Sequence, residues 1–66
     1  MRFGLWLYNN LILTGMSHKE FADKIGVSTR SVRRWIGTNI IPRKEIMKKI
    51  YSVFPYQMVF YNQERR

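Results

Sequence analysis

The alternation of apolar and polar positions divides this chain into short helices separated by glycine, serine and proline. Over residues 2–14, Leu5, Tyr8, Leu11 and Ile12 recur at helical spacing and Gly15 supplies a stop, which predicts a first helix. Ser17 stands three residues before Glu20, the arrangement in which each side chain can bind the other's backbone N–H, so a second helix begins there. It covers about 17–25, turns Phe21, Ala22 and Ile25 inward and Lys19, Asp23 and Lys24 outward, and ends against Gly26. Ser28 caps a third helix over about 29–36, with Val32, Trp35 and Ile36 on one side and Thr29, Arg30, Arg33 and Arg34 on the other. Residues 37–41 read as a loop. Pro42 suits a first helical position, where its fixed φ is pre-set and its missing N–H costs nothing, and a fourth helix continues to about Val53. Ile46, Met47, Ile50 and Tyr51 or Val53 are its core side, and Pro55 closes it. In residues 56–66, Met58, Val59 and Phe60 fit a short fifth helix or alternate as on a strand; the helix is the favoured reading.

These elements predict an all-α fold: one domain spanning 1–66, a compact bundle of four or five helices. At 66 residues such a domain buries only about 60% of the surface its unfolded chain exposes. The 45% apolar content is nevertheless enough for a core and too high for disorder. With no cysteine, neither a disulfide nor a thiolate metal site is available. One histidine and no carboxylate pair at catalytic spacing argue against an enzyme, a metal or a cofactor. The apolar stretch 3–13 is interrupted by Asn9 and Asn10 and falls short of the roughly 20 residues a membrane span needs, so a cytoplasmic location is expected.

Charge sharpens the picture. A net charge of +8 implies a polyanionic partner, and its distribution is uneven. Seven of the twelve bases (Arg30, Arg33, Arg34, Arg43, Lys44, Lys48 and Lys49) fall within residues 30–49 beside a single acid, Glu45. A short helix, a glycine-containing turn and a second helix with a basic outer side, all within residues 17–37, match what reading a DNA major groove requires. That groove is about 12 Å wide and admits one helix, which another must brace from behind. Ala22 lets the two helices approach, Gly26 permits the turn, and Val27 and Val32 plug the angle between them.

The run Met16-Ser17-His18-Lys19-Glu20-Phe21-Ala22-Asp23-Lys24-Ile25-Gly26-Val27-Ser28, then Val32, Arg34, Trp35 and Ile36, and on through Ile41-Pro42-Arg43 to Ile46 and Ile50, resembles the phage-repressor-like helix-turn-helix proteins, the Xre or Cro-like group. The resemblance implies a lambda-repressor-like fold and a transcriptional regulator, a repressor by default, acting as a homodimer on an inverted-repeat operator in double-stranded DNA, without small-molecule ligand or membrane. It places Thr29, Arg30 and Arg33 at base edges, with Arg34 at a base edge or a phosphate, and an arginine there can pair bidentately with guanine at about 1–3 kcal/mol of discrimination. His18 stands where the family usually has glutamine and would grip a phosphate; Lys19, Ser28, Thr38 and Asn39 flank the backbone path. Arg43 and Lys44 open the fourth helix, where bases oppose the helix dipole and a phosphate partner gives them a reason.

Trp35, three residues after Val32 and beside Ile36, is expected in the core. The first helix cannot bury Phe3, Trp6, Leu7 and Leu13 together with Leu5, Tyr8 and Ile12, so some must be exposed or paired. Those residues, or Phe54, Tyr56, Met58, Phe60 and Tyr61, are expected to form a dimer interface. Two other classes compete: a cationic amphipathic membrane-binding protein, and a protein-interaction module on the same fold. The first predicts bases opposite the apolar stripe of the first helix, which has only Arg2.

Overall fold

Most helix ends lie where a local chemical reason can be named. The computed structural model describes residues 2–54 and contains, among them, four helices and no strand: α1 (Phe3–Thr14), α2 (His18–Ile25), α3 (Thr29–Thr38) and α4 (Lys44–Val53). The all-α expectation holds. Pro55, the fifth helix and the interface residues Tyr56, Met58, Phe60 and Tyr61 lie outside the described residues.

Gly15 ends α1 in the left-handed region at φ 71°, where a β-carbon would be strained, and the Met16 N–H closes back on the Leu11 carbonyl. The reciprocal cap of α2 is present in full. Ser17 Oγ accepts from the Glu20 N–H at 3.0 Å, and Glu20 Oε1 accepts from the Ser17 N–H at 2.9 Å. Gly26, at φ 74°, ends α2, and Ser28 starts α3 by accepting the Ser31 N–H at 3.1 Å.

Two boundaries differ from the sequence reading. Residues 37 and 38 are helical, not loop, because Asn39 takes the left-handed stop at φ 60° and donates its N–H to the Trp35 carbonyl. Helix α4 starts at Lys44, two residues after Pro42, with extended Arg43 at the cap. The proline's fixed φ serves an extended connector as well as a first turn, and the later start puts Glu45 at the positive end of the helix dipole.

The inner side of α1 is also not the one its spacing suggested. Phe3, Trp6, Leu7 and Leu11 are buried, whereas Leu5, Tyr8, Ile12 and Leu13 are exposed. A helix apolar nearly all round carries two stripes at helical spacing, and the one with Phe3 and Trp6 has more surface to bury. Asn10 shares the buried side at 2% exposure, and its Nδ2 donates to the Trp6 carbonyl at 2.9 Å.

Helix α3 packs against both α1 and α2, and α4 packs against α2. The core they enclose joins the four buried α1 residues to Phe21, Ala22, Ile25, Val32, Ile50 and Phe54, with Trp35, Ile36, Ile46, Met47, Tyr51 and Val53 partly buried around it. Trp6 is its aromatic hub, 5.6 Å from Phe3 and meeting Tyr51 and Phe54 edge-on at 5.8 and 5.7 Å. Phe54 stacks on Phe21 at 5.5 Å. This residue, expected at a dimer interface, is therefore a core residue of the single chain: directly after α4, its ring meets Phe21 of α2 and Trp6 of α1.

A clasp between α1 and α3 completes the fold. Arg2 gives α1 no side-chain cap; instead Asn39 Oδ1 accepts the Gly4 N–H at 2.9 Å across 35 positions of sequence. One asparagine thus stops α3 with its backbone and caps α1 with its side chain. The approach is so close that a β-carbon at Gly4 would overlap the Ile36 carbonyl oxygen and Asn39 Oδ1. Gly4→Ala is expected to lower stability by about 1–3 kcal/mol, the usual range for overpacking. Thermal melting followed by circular dichroism checks this, and an unchanged midpoint would contradict it.

Candidate nucleic-acid interface

The two helices of greatest interest meet at small and branched side chains. Ala22 of α2 and Val32 of α3 are fully buried, Val27 is half-buried in the turn between the helices, and the Val27 N–H donates to the Ala22 carbonyl at 3.0 Å. With Ala22 in place of a larger residue, α3 can lie close against α2. A single three-residue turn at 26–28 then fixes the start of α3.

That packing leaves one side of α3 outside. At about 100° per residue, Val32, Trp35 and Ile36 occupy one arc, and Arg30 falls opposite its centre with Arg33 and Arg34 to either side. Only Val32 of α3 is fully buried, and all three arginines are exposed. Arg30 neighbours Arg33 and Arg34 at the i,i+3 and i,i+4 spacings where like charges repel. No acid stands in the first turn of α3 to offset them. Among the described residues the one ion pair is Lys19 with Asp23, at 3.2 Å on the exposed surface of α2. None of the seven clustered bases, all exposed, is therefore neutralised by a described carboxylate. The free chain holds this charge against its own repulsion, an arrangement that a polyanion would relieve.

The remaining candidates divide by what their side chains already do. Thr29 is half-buried at the first position of α3, and His18 is half-buried at the first position of α2. Lys19 is exposed but shares its charge with Asp23. Ser28 is occupied as the cap of α3, and its hydroxyl also donates to Ser31 Oγ at 3.2 Å. Thr38 is exposed with its hydroxyl donating back to the Arg34 carbonyl, and Asn39 is half-buried with Oδ1 held by Gly4. Arg43 and Lys44 are exposed at the start of α4, whose packing partner is α2. The structure thus brings Thr29, Arg30, Arg33 and Arg34 onto one helix, and gives Ser28 and Asn39 work inside the fold.

Two features here lie beyond the local sequence pattern. Gly37 lies in α3 and not in the loop its residue type predicts, and it extends the outer side of that helix. The Gly4–Asn39 clasp joins residues too far apart for any local pattern to pair them. The one signal in the sequence is that residue 39 is asparagine, a type that tolerates a left-handed helix stop, and it marks the end of α3 rather than the clasp. An open cleft lies beside that clasp, lined by Arg2, Gly4, Leu5, Tyr8, Ile36 and Asn39. Among the described residues no group of three or more His, Asp and Glu side chains converges on a possible metal position, and no helix is long and apolar enough to cross a membrane. No protein-family model, curated protein or solved structure matches the chain.

Proposed function

We propose that α2, the turn and α3 form a helix-turn-helix, and that the chain is a sequence-specific double-stranded DNA-binding regulator of the phage-repressor-like kind, with α3 as the helix that enters the major groove. The observation that carries this reading is the outer side of α3: three exposed arginines, unpaired among the described residues, on a short helix braced from behind by α2. Arginine suits the role because its planar fork can bond guanine O6 and N7 together. Arg30, Arg33 and Arg34 supply base contacts with Thr29 beside them. Arg43, Lys44, His18 and Lys19 supply phosphate contacts. Ser28 and Thr38 are better placed to hold the backbone of α3 than to reach outward, since both hydroxyls are engaged.

In this reading two copies present α3 to successive major grooves about 34–36 Å apart on an inverted repeat. The row Leu5, Tyr8, Ile12 and Leu13 supports self-association: it is apolar, exposed and lies on a helix without a charged residue, so two copies of a +8 chain could meet there with little repulsion. Binding so placed would occlude polymerase, which makes repression the expected outcome.

The reading is tested through its phosphate contacts. Arg43→Ala is expected to weaken binding to every duplex by a similar factor and to lower the slope of log affinity against log salt by about 0.9, the release of one counterion. Titrations at several salt concentrations measure it. Binding that ignores salt would contradict a nucleic-acid interface at this helix start.

A further inference from the structure

The chain has four glycines, and three of them have a reason inside the fold. Gly15 and Gly26 adopt positive φ at the ends of α1 and α2, and Gly4 leaves no room for a β-carbon beside the end of α3. Gly37 has no such reason. Its φ is not positive, it lies within α3, it is exposed, and a β-carbon built on it would meet none of the described residues within 4 Å. Glycine inside a helix is unfavourable relative to alanine because it gives up more backbone freedom on folding. Among the described residues, Gly37 is therefore held at a cost with no intramolecular return.

Its position suggests where the return comes from. Gly37 follows Arg30 by seven residues, Arg33 by four and Arg34 by three, so it sits on the same outer stripe, about 10.5 Å along the axis from Arg30. The neighbouring Thr38 hydroxyl is turned back onto the Arg34 carbonyl, which keeps that side chain close to the helix. The outer stripe of α3 thus passes from three long cationic side chains to bare backbone within two turns. Long side chains reach into a recess; bare backbone is what remains where a rigid surface comes close.

We propose that Gly37 is a contact position in its own right, where the backbone of α3 meets the DNA directly and a side chain would hold the helix away from it. This rests on the reading of α3 as the groove-entering helix. Gly37 would set how deeply α3 seats, so that Arg30 and Arg33 reach base edges. Its place at the far end of the stripe would also fix the tilt of the helix in the groove.

Gly37→Ala separates stability from binding. The variant is expected to melt a few degrees higher than the wild type and to bind the duplex enriched from a random DNA pool at least about tenfold more weakly, with Gly37→Leu weaker again. A higher melting temperature with unchanged affinity would overturn the proposal and leave the DNA-binding reading standing. A lower melting temperature would also overturn it, by showing that the glycine serves the fold. A wild-type protein that binds no duplex would overturn both.

Discussion

Phe54→Ala is expected to leave the chain largely unfolded at 37 °C. Phe54 is 2% exposed, stacks on Phe21 with their rings 7° from parallel, and meets Trp6 edge-on. Truncating such a ring removes its transfer free energy and leaves a cavity, together about 3–5 kcal/mol. A domain below about 70 residues without a disulfide rarely has more than about 3–5 kcal/mol in total, so the loss is comparable with the whole. Circular dichroism melting measures it, with Leu13→Ala as the control. Leu13 is 70% exposed, and its truncation should move the midpoint little. The same pair of variants separates a core from a subunit contact. A Phe54→Ala defect that disappears at high protein concentration would place this ring between two chains.

Arg33→Ala is expected to relax base preference at one position of the preferred duplex while leaving the preference elsewhere intact. A bidentate arginine–guanine pair carries about 1–3 kcal/mol of discrimination, so the substituted base should gain between about fivefold and more than a hundredfold relative to guanine. The variant should fold as well as the wild type or better, because Arg33 is exposed and its removal lessens repulsion with Arg30 one turn away. Competition among duplexes that differ at single base pairs reads this out. An equal loss on all of them would make Arg33 a phosphate contact and move the specificity to Arg30 or Arg34.

Local chemistry was legible in the sequence wherever it acts over one turn. Ser17 with Glu20, Ser28, Gly15 and Gly26 announced their helix ends because each cap is made within a few residues. The inner sides of α2 and α3 were legible because each has one apolar arc and one polar arc. Helix α1 defeated the same method: it is apolar on both sides, and only its distant partners, α3 with the rings of Tyr51 and Phe54, decide that Phe3, Trp6 and Leu7 go in while Leu5, Tyr8 and Ile12 stay out. Phe54 was misread for a related reason. A large aromatic directly after a helix looks the same at an interface as in a core, and the distant rings of Trp6 and Phe21 make the choice.

The candidate site shows the same division. Arg30, Arg33 and Arg34 follow from the period of α3 alone, since Val32 fixes which way the helix faces. Asn39 does not: its polar side chain suggested a surface contact, but its distance from Gly4 is a property of how α1 crosses the end of α3. Gly37 was hidden by the assumption that glycine ends helices. Asn39, two residues later, took that role instead.

The central claim is that α3 reads base edges, and selection of bound duplexes from a random pool tests it most directly. The expected result is an enriched inverted repeat with a guanine-containing half-site and about one helical turn between half-site centres. A pool that remains random after several rounds, although the protein is folded and binds DNA, would contradict it and leave α3 as a basic surface without sequence preference.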